Sequence, residues 1–182
     1  MAERNSDING ISCKEGSVTA TARYLIDSRI YSLDQDYAIE DLISPIIPIN
    51  DAHLVLGLEP LETIRNLKYI SEQTVVILNT HSLFPRNVII GSEKEKKYPS
   101  IAKIVETLDQ FARRTVSMNF NKLSKTKFNN SIYANTIILG VGSKEYQEIF
   151  NKNLMIDLLQ EFFGESKENI EAFELGYNLI NP

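Results

Sequence analysis

Residues 52–78 read AHLVLGLEPLETIRNLKYISEQTVVIL, and this stretch decides the fold. It opens on a short apolar run, residues 52–58, of the kind carried by a buried strand. Pro60 follows, a residue suited to the first turn of a helix because its missing N–H costs nothing there. Leu61, Ile64, Leu67 and Ile70 then recur at helical spacing. A second apolar run, residues 74–78 (TVVIL), closes the stretch. Strand, helix and strand in this order imply a parallel pair with the helix laid across it.

The alternation continues downstream. Residues 87–90 (NVII) predict a short third strand, and residues 93–97 (EKEKK) a solvated charged loop. Ile101, Ile104, Val105, Leu108 and Phe111 mark the clearest amphipathic helix. Residues 115–118 predict another strand. The last third reads as helical. Residues 131–141 are largely apolar and predict a buried helix. Asn153 is placed to cap a helix over 154–163 that Gly164 ends, and Ser166 to cap a last helix with Ile170, Phe173, Tyr177 and Ile180 on its apolar face.

Upstream, residues 1–11 read as a flexible polar arm. Residues 17–25 (SVTATARYL) predict a strand, Asp27-Ser28 a turn and residues 29–32 a hairpin return. Residues 34–50 are acidic and then broken by proline. The expected fold class is α/β, a single three-layer domain over 12–182 with a mostly parallel sheet and a helical C-terminal third.

Composition narrows the function classes. The 182 residues are 43% hydrophobic, enough for a core. Nineteen basic against 24 acidic residues leave a net charge of −5, which argues against a nucleic-acid partner. Cys13 is the single cysteine, so this chain alone can build neither a disulfide framework nor an iron–sulfur cluster or Cys-type zinc site. No apolar stretch is long enough to predict a membrane span, and the start is polar with no signal core; a cytoplasmic location is expected.

In an open α/β sheet, ligands bind beyond the carboxyl ends of the strands. Two such ends stand out: Glu59 to Glu62 after the first run, and Asn79, Thr80, His81 and Ser82 after the second. These groups either contact a small ligand or tie down turns. His53, inside the strand pattern, reads as a core or edge residue, and Cys13 as a bystander. Lys122, Lys125 and Lys127 read as a solvated turn. Gly140 and Gly142 lack a preceding strand, and no phosphate-binding glycine loop or nucleophile elbow occurs. The residues alone therefore stop at an α/β domain.

The order of several short segments carries further. Lys14-Glu15-Gly16-Ser17-Val18 is followed by Ile43-Ser44-Pro45-Ile46-Ile47-Pro48 and by the strand that ends Leu58-Glu59-Pro60-Leu61-Glu62. Val76-Ile77-Leu78-Asn79-Thr80, Asn135-Thr136-Ile137-Ile138-Leu139-Gly140 and Ala172-Phe173-Glu174-Leu175-Gly176-Tyr177 continue the series. Over residues 12–180 this resembles the gamma domain of the 2-oxoacid:ferredoxin oxidoreductases, most of all the beta subunit of the indolepyruvate type. The resemblance implies a subunit of an enzyme that decarboxylates a 2-oxoacid oxidatively to an acyl-coenzyme A and reduces ferredoxin. It implies that thiamine diphosphate and iron–sulfur clusters sit on a larger alpha subunit, with no catalytic residue and no metal ligand on this chain. By carry-over, Gly16, Ser17, Glu59, Asn79, Thr80 and His81 would face the substrate or coenzyme A. The family's glycine-rich opening unit has no counterpart here, and Lys14-Glu15 stands where the family has Arg-Gly; a chain without that unit is expected either to need a partner segment or to be a truncated product. Two alternatives stand beside this reading: a catalytically degenerate scaffold or regulatory relative, and an unrelated small-molecule-binding α/β domain.

Overall fold

In the computed structural model, residues 2–9, 18–25, 46–82, 98–164 and 166–181 are described. Strand β4 (Val75–Asn79) is the axis of the molecule, with all five residues buried. It lies between β3 (Leu54–Gly57) and β5 (Arg114–Met118), parallel to both. The register pairs Leu54 with Val75 and Val75 with Arg114. An unbroken apolar run is what a parallel strand covered on both faces requires, because neither set of alternate side chains meets water.

The two faces of β4 feed two cores. Val75 and Ile77 point to one side, where they join Phe120, Ile137, Ile138 and Val141. Val76 and Leu78 point to the other, where they join Ile70, Ile104 and Leu108. The first side is covered by α3 (Phe120–Phe128), α4 (Ala134–Glu145) and α6 (Lys167–Tyr177), and the second by α1 (Pro60–Arg65) and α2 (Ile101–Asp109). A further helix, α5 (Lys152–Phe163), precedes α6. The result is the three-layer α/β arrangement with a helical final third. A separate antiparallel pair joins β1 (Ala2–Asn9) to β2 (Val18–Leu25), with Ala2 opposite Leu25.

Several expectations shift. The segment read as an arm, residues 1–11, carries β1. The helix predicted over the Leu61–Ile70 stripe is α1 followed by a separate 3-10 turn, Leu67–Tyr69. Phe111 lies beyond the end of α2 and is exposed, because the chain turns at Gln110. Lys122, Lys125 and Lys127 sit on a helix, not a turn. Asn119 caps it by accepting the Lys122 N–H at 2.8 Å, and Asn129, left-handed at φ 54°, ends it. Its polar residues dilute the apolar stripe, which hides it from a periodicity reading. The buried helix starts at Ala134 rather than 131, since Asn130 Oδ1 takes the Ile132 N–H into a turn. The α5 cap is Asn151, not Asn153; its Oδ1 accepts from the N–H groups of Asn153 and Leu154. Capping there admits Lys152 to the helix, where its ammonium reaches Glu174 at 2.8 Å. Ser166 occupies the last N-cap position without capping; its Oγ instead accepts from Asn169 Nδ2 at 3.0 Å. The expected strand at 87–90, the hairpin return at 29–32 and the charged loop at 93–97 lie outside the described residues.

Gly140 and Gly142 belong to α4, not to a ligand loop. A side chain at Gly140 would lie 2.1 Å from the Phe173 carbonyl oxygen, and one at Gly176 would lie 2.0 Å from that of Ile137. The two glycines let α4 and α6 touch backbone to backbone.

Candidate functional site

The three parallel strands end together, and Asn79 is the residue that joins their ends. Its side chain is buried. Nδ2 donates to the Leu58 carbonyl at 3.3 Å and to Asn121 Oδ1 at 2.7 Å. Oδ1 accepts from the backbone N–H of His81 at 3.2 Å and of Phe120 at 3.1 Å. The His81 bond is the short-range turn that Asn forms with its own backbone two residues on, and it steers the chain off the sheet. The Thr80 N–H adds a bond to the Met118 carbonyl at 2.9 Å. An amide offers two donor hydrogens and one acceptor oxygen with two lone pairs, so Asn79 is fully used inside the chain.

Glu59 is equally committed. It is the extended N-cap of α1, and Oε2 accepts the Glu62 N–H at 2.8 Å. Oε1 accepts from the Tyr98 hydroxyl, whose oxygen accepts in turn from the Leu61 N–H at 3.2 Å. Thr63 Oγ1 donates to the Glu59 carbonyl at 2.8 Å. A carboxylate beside exposed N–H groups is favourable at a helix start. Burial, reinforced by its bond to Glu59 and the charge there, pushes the Tyr98 hydroxyl well above the usual tyrosine range, so it stays a donor.

Thr80 and His81 are the half-buried groups that follow Asn79 at the same edge. Among the described residues no hydrogen-bond partner meets the His81 imidazole. Gly16 and Ser17 lie outside the described residues. His53 precedes β3 with an exposed side chain, and its carbonyl accepts from the Val75 N–H and the Tyr146 hydroxyl, both at 2.8 Å. The lysines of α3 are exposed. Tyr98 and Asn121 were not singled out by the sequence. Tyr98 had a signal, a lone aromatic closing a charged run before the Ser100 cap; Asn121 had none.

This edge can hold and orient; among its described residues no nucleophile is paired with a base. Among the described residues no group of His, Cys, Asp or Glu could hold a metal ion. With one cysteine in the sequence, the donor set does not fit an iron–sulfur cluster. No described helix is long and apolar enough to cross a membrane.

Comparison with known proteins adds what the geometry alone does not. Residues 13–179 match the family described as pyruvate ferredoxin/flavodoxin oxidoreductase. The chain is 28% identical over 153 residues to the indolepyruvate oxidoreductase subunit IorB of Archaeoglobus fulgidus, covering 81% of this chain and 72% of that one. It is 30% identical over 138 residues to the protein of the same name from Methanothermobacter thermautotrophicus, covering 76% of this chain and 61% of that one. The counterpart in Thermococcus kodakarensis is 24% identical over 178 residues, covering 95% and 78%.

Proposed function

Because the chain belongs to the pyruvate ferredoxin/flavodoxin oxidoreductase family, we propose that it is the non-cofactor subunit of a cytoplasmic 2-oxoacid:ferredoxin oxidoreductase, of the type that acts on indolepyruvate. The complex decarboxylates the 2-oxoacid oxidatively to an acyl-coenzyme A and passes the electrons to ferredoxin. Thiamine diphosphate and the iron–sulfur clusters sit on a larger alpha subunit. The observation that carries this reading is the extent of the match, which runs through β2, the whole parallel sheet and the helices that cover it. The single cysteine accords with clusters held elsewhere.

This chain's part is to build one wall of the site. Asn79 and Glu59 hold the strand ends rigid, and Thr80 and His81 face the substrate or coenzyme A from that edge. By carry-over from the family, Gly16 and Ser17 are proposed to contact the same ligand. A group that positions substrate acts through binding geometry, so its loss appears in KM as well as kcat.

Reconstitution tests the reading. The alpha subunit, assayed for 2-oxoacid- and coenzyme A-dependent ferredoxin reduction, should lose its turnover when this chain is left out and regain it on addition. His81→Ala should raise KM for the 2-oxoacid or coenzyme A without unfolding the chain. Unchanged turnover without the chain would overturn the proposal.

A further inference from the structure

Helix α5 breaks two local rules at once. Its inward residues are conventional: Leu159 is buried, and Met155 and Ile156 are half-buried. Its outward face is apolar as well. Leu154, Leu158 and Phe162 recur every fourth residue and are 53%, 48% and 81% exposed. Phe162 packs edge-on against Phe163, ring centroids 4.9 Å apart. Between α5 and Leu139 of α4 runs an open groove of about 680 Å³, lined by Met155, Leu158, Phe162 and Phe163, with Glu161 the single charged residue among the described lining. A small-molecule pocket would need several convergent polar groups, which the described lining does not offer. An exposed apolar stripe with polar edges is the mark of a protein contact.

The second broken rule concerns charge. The exposed carboxylate of Glu161 lies in the last turn of α5, which carries no basic residue, and Asp157 is exposed one turn before it. The helix dipole is negative at that end, so the Glu161 charge is unfavourable where it stands. The one lysine of α5, Lys152, sits at the other end and is paired with Glu174. From Glu145 to the end of the chain, acidic residues outnumber basic ones eight to two. A second copy of this chain fits such a face poorly: a two-fold contact sets the same patch against itself and would bring like charges together. A partner that presents an apolar surface edged with Lys and Arg relieves both defects in one contact.

We propose that α5 is the docking helix of this chain, seating Leu154, Leu158, Phe162 and Phe163 on an apolar surface of the larger subunit that is bordered by basic residues. This inference rests on the oxidoreductase-subunit reading. Four side chains are too few for a whole interface of about 800 Å² per partner, so α5 forms the energetic centre of a wider contact.

The test measures binding of the full chain to the alpha subunit across a salt series, with sedimentation velocity of the chain alone. Leu158→Glu with Phe162→Glu should weaken binding by ~100-fold or more. Asp157→Lys with Glu161→Lys should weaken it by about 10-fold and flatten its salt dependence. These last two positions are exposed, so the charge-reversed chain keeps its fold even if the first variant does not, and thermal melts check both. Wild-type binding that neither pair of substitutions alters would overturn the docking surface and leave the subunit reading standing. Wild-type chain that does not bind the alpha subunit at all would overturn both. Self-association abolished by Leu158→Glu with Phe162→Glu, while alpha-subunit binding is untouched, would assign the face to a second copy and overturn the proposal.

Discussion

Asn79 was singled out in the sequence because it follows a buried strand, and its position was the legible part. Its role was not, because four hydrogen bonds to Leu58, His81, Phe120 and Asn121 depend on loops brought together only by folding. Asn79→Ala should destabilise the domain by about 2–4 kcal/mol, since buried groups on three strand ends lose their partners. Asn79→Asp tests the donor role: a carboxylate accepts but cannot donate to the Leu58 carbonyl or to Asn121. Urea denaturation should show the Asp variant at least as damaged as the Ala variant; near-wild-type stability of Asn79→Asp would refute the donor assignment. Tyr98 gives a pH signature. Burial first, then Glu59, raises its ionisation in the folded state. The folded chain therefore holds this proton where the unfolded chain, near the ordinary value of about 10, has released it. Stability from this group is intact below about pH 10 and falls as pH rises beyond it. Tyr98→Phe should cost about 1–2 kcal/mol at neutral pH, through the lost bonds to Glu59 and Leu61, and should remove this part of the alkaline decline. Denaturation midpoints of both chains across that range provide the check.

At the scale of elements, legibility followed periodicity. The β4 run, the α2 stripe and the strand at β5 were readable because their patterns are local. Helix α3 was not, because Lys, Ser and Thr interrupt its apolar face and its stability comes from Phe120 and Ser124 packed below, with caps at Asn119 and Asn129. Gly140 and Gly142 look from the sequence like a phosphate loop without its strand. The role of Gly140 is visible only when α6 lies across it, and that of Gly142 only when Leu54 and Leu56 of β3 pack against it. Gly140→Ala would press a methyl against the Phe173 carbonyl and the Tyr177 amide, fixed backbone atoms that cannot rotate away. The helices must part, and overpacking of this kind costs about 1–3 kcal/mol or more. Gly164→Ala is the contrasting case, with open space around it but a backbone at φ 67° and ψ −153° that suits glycine alone. It should cost about 1–3 kcal/mol through backbone strain. Truncating Phe173→Ala should leave the backbone clash at Gly140→Ala unrelieved, because the obstructing atom is a carbonyl; relief would show that the side chain, not the backbone, is the obstacle.

For the molecule as a whole, what matters is that one strand serves two cores. Ile77 and Leu78 are adjacent in sequence and fully buried, yet they face opposite layers. Neither core can lose its floor without removing the other's, so the three layers should unfold as one unit. Ile77→Ala and Leu78→Ala should each cost about 2–5 kcal/mol, the usual range for a large aliphatic truncated in a packed interior. The two side chains pack in different cores but on one strand, so a double-mutant cycle should read the coupling carried by the shared backbone. The sum of the two single costs spans most of the 5–15 kcal/mol that holds an ordinary domain together. Each single variant should fold and melt in one transition, with far-ultraviolet and tyrosine near-ultraviolet signals coinciding. The double variant should be largely unfolded at room temperature. Hydrogen exchange should find the amides of β4 among the slowest in the chain and opening only with global unfolding. If Ile77→Ala instead produced two separated transitions, with the α1–α2 side surviving the loss of the α3–α4–α6 side, the layers would be independent and the strand's shared role would be wrong.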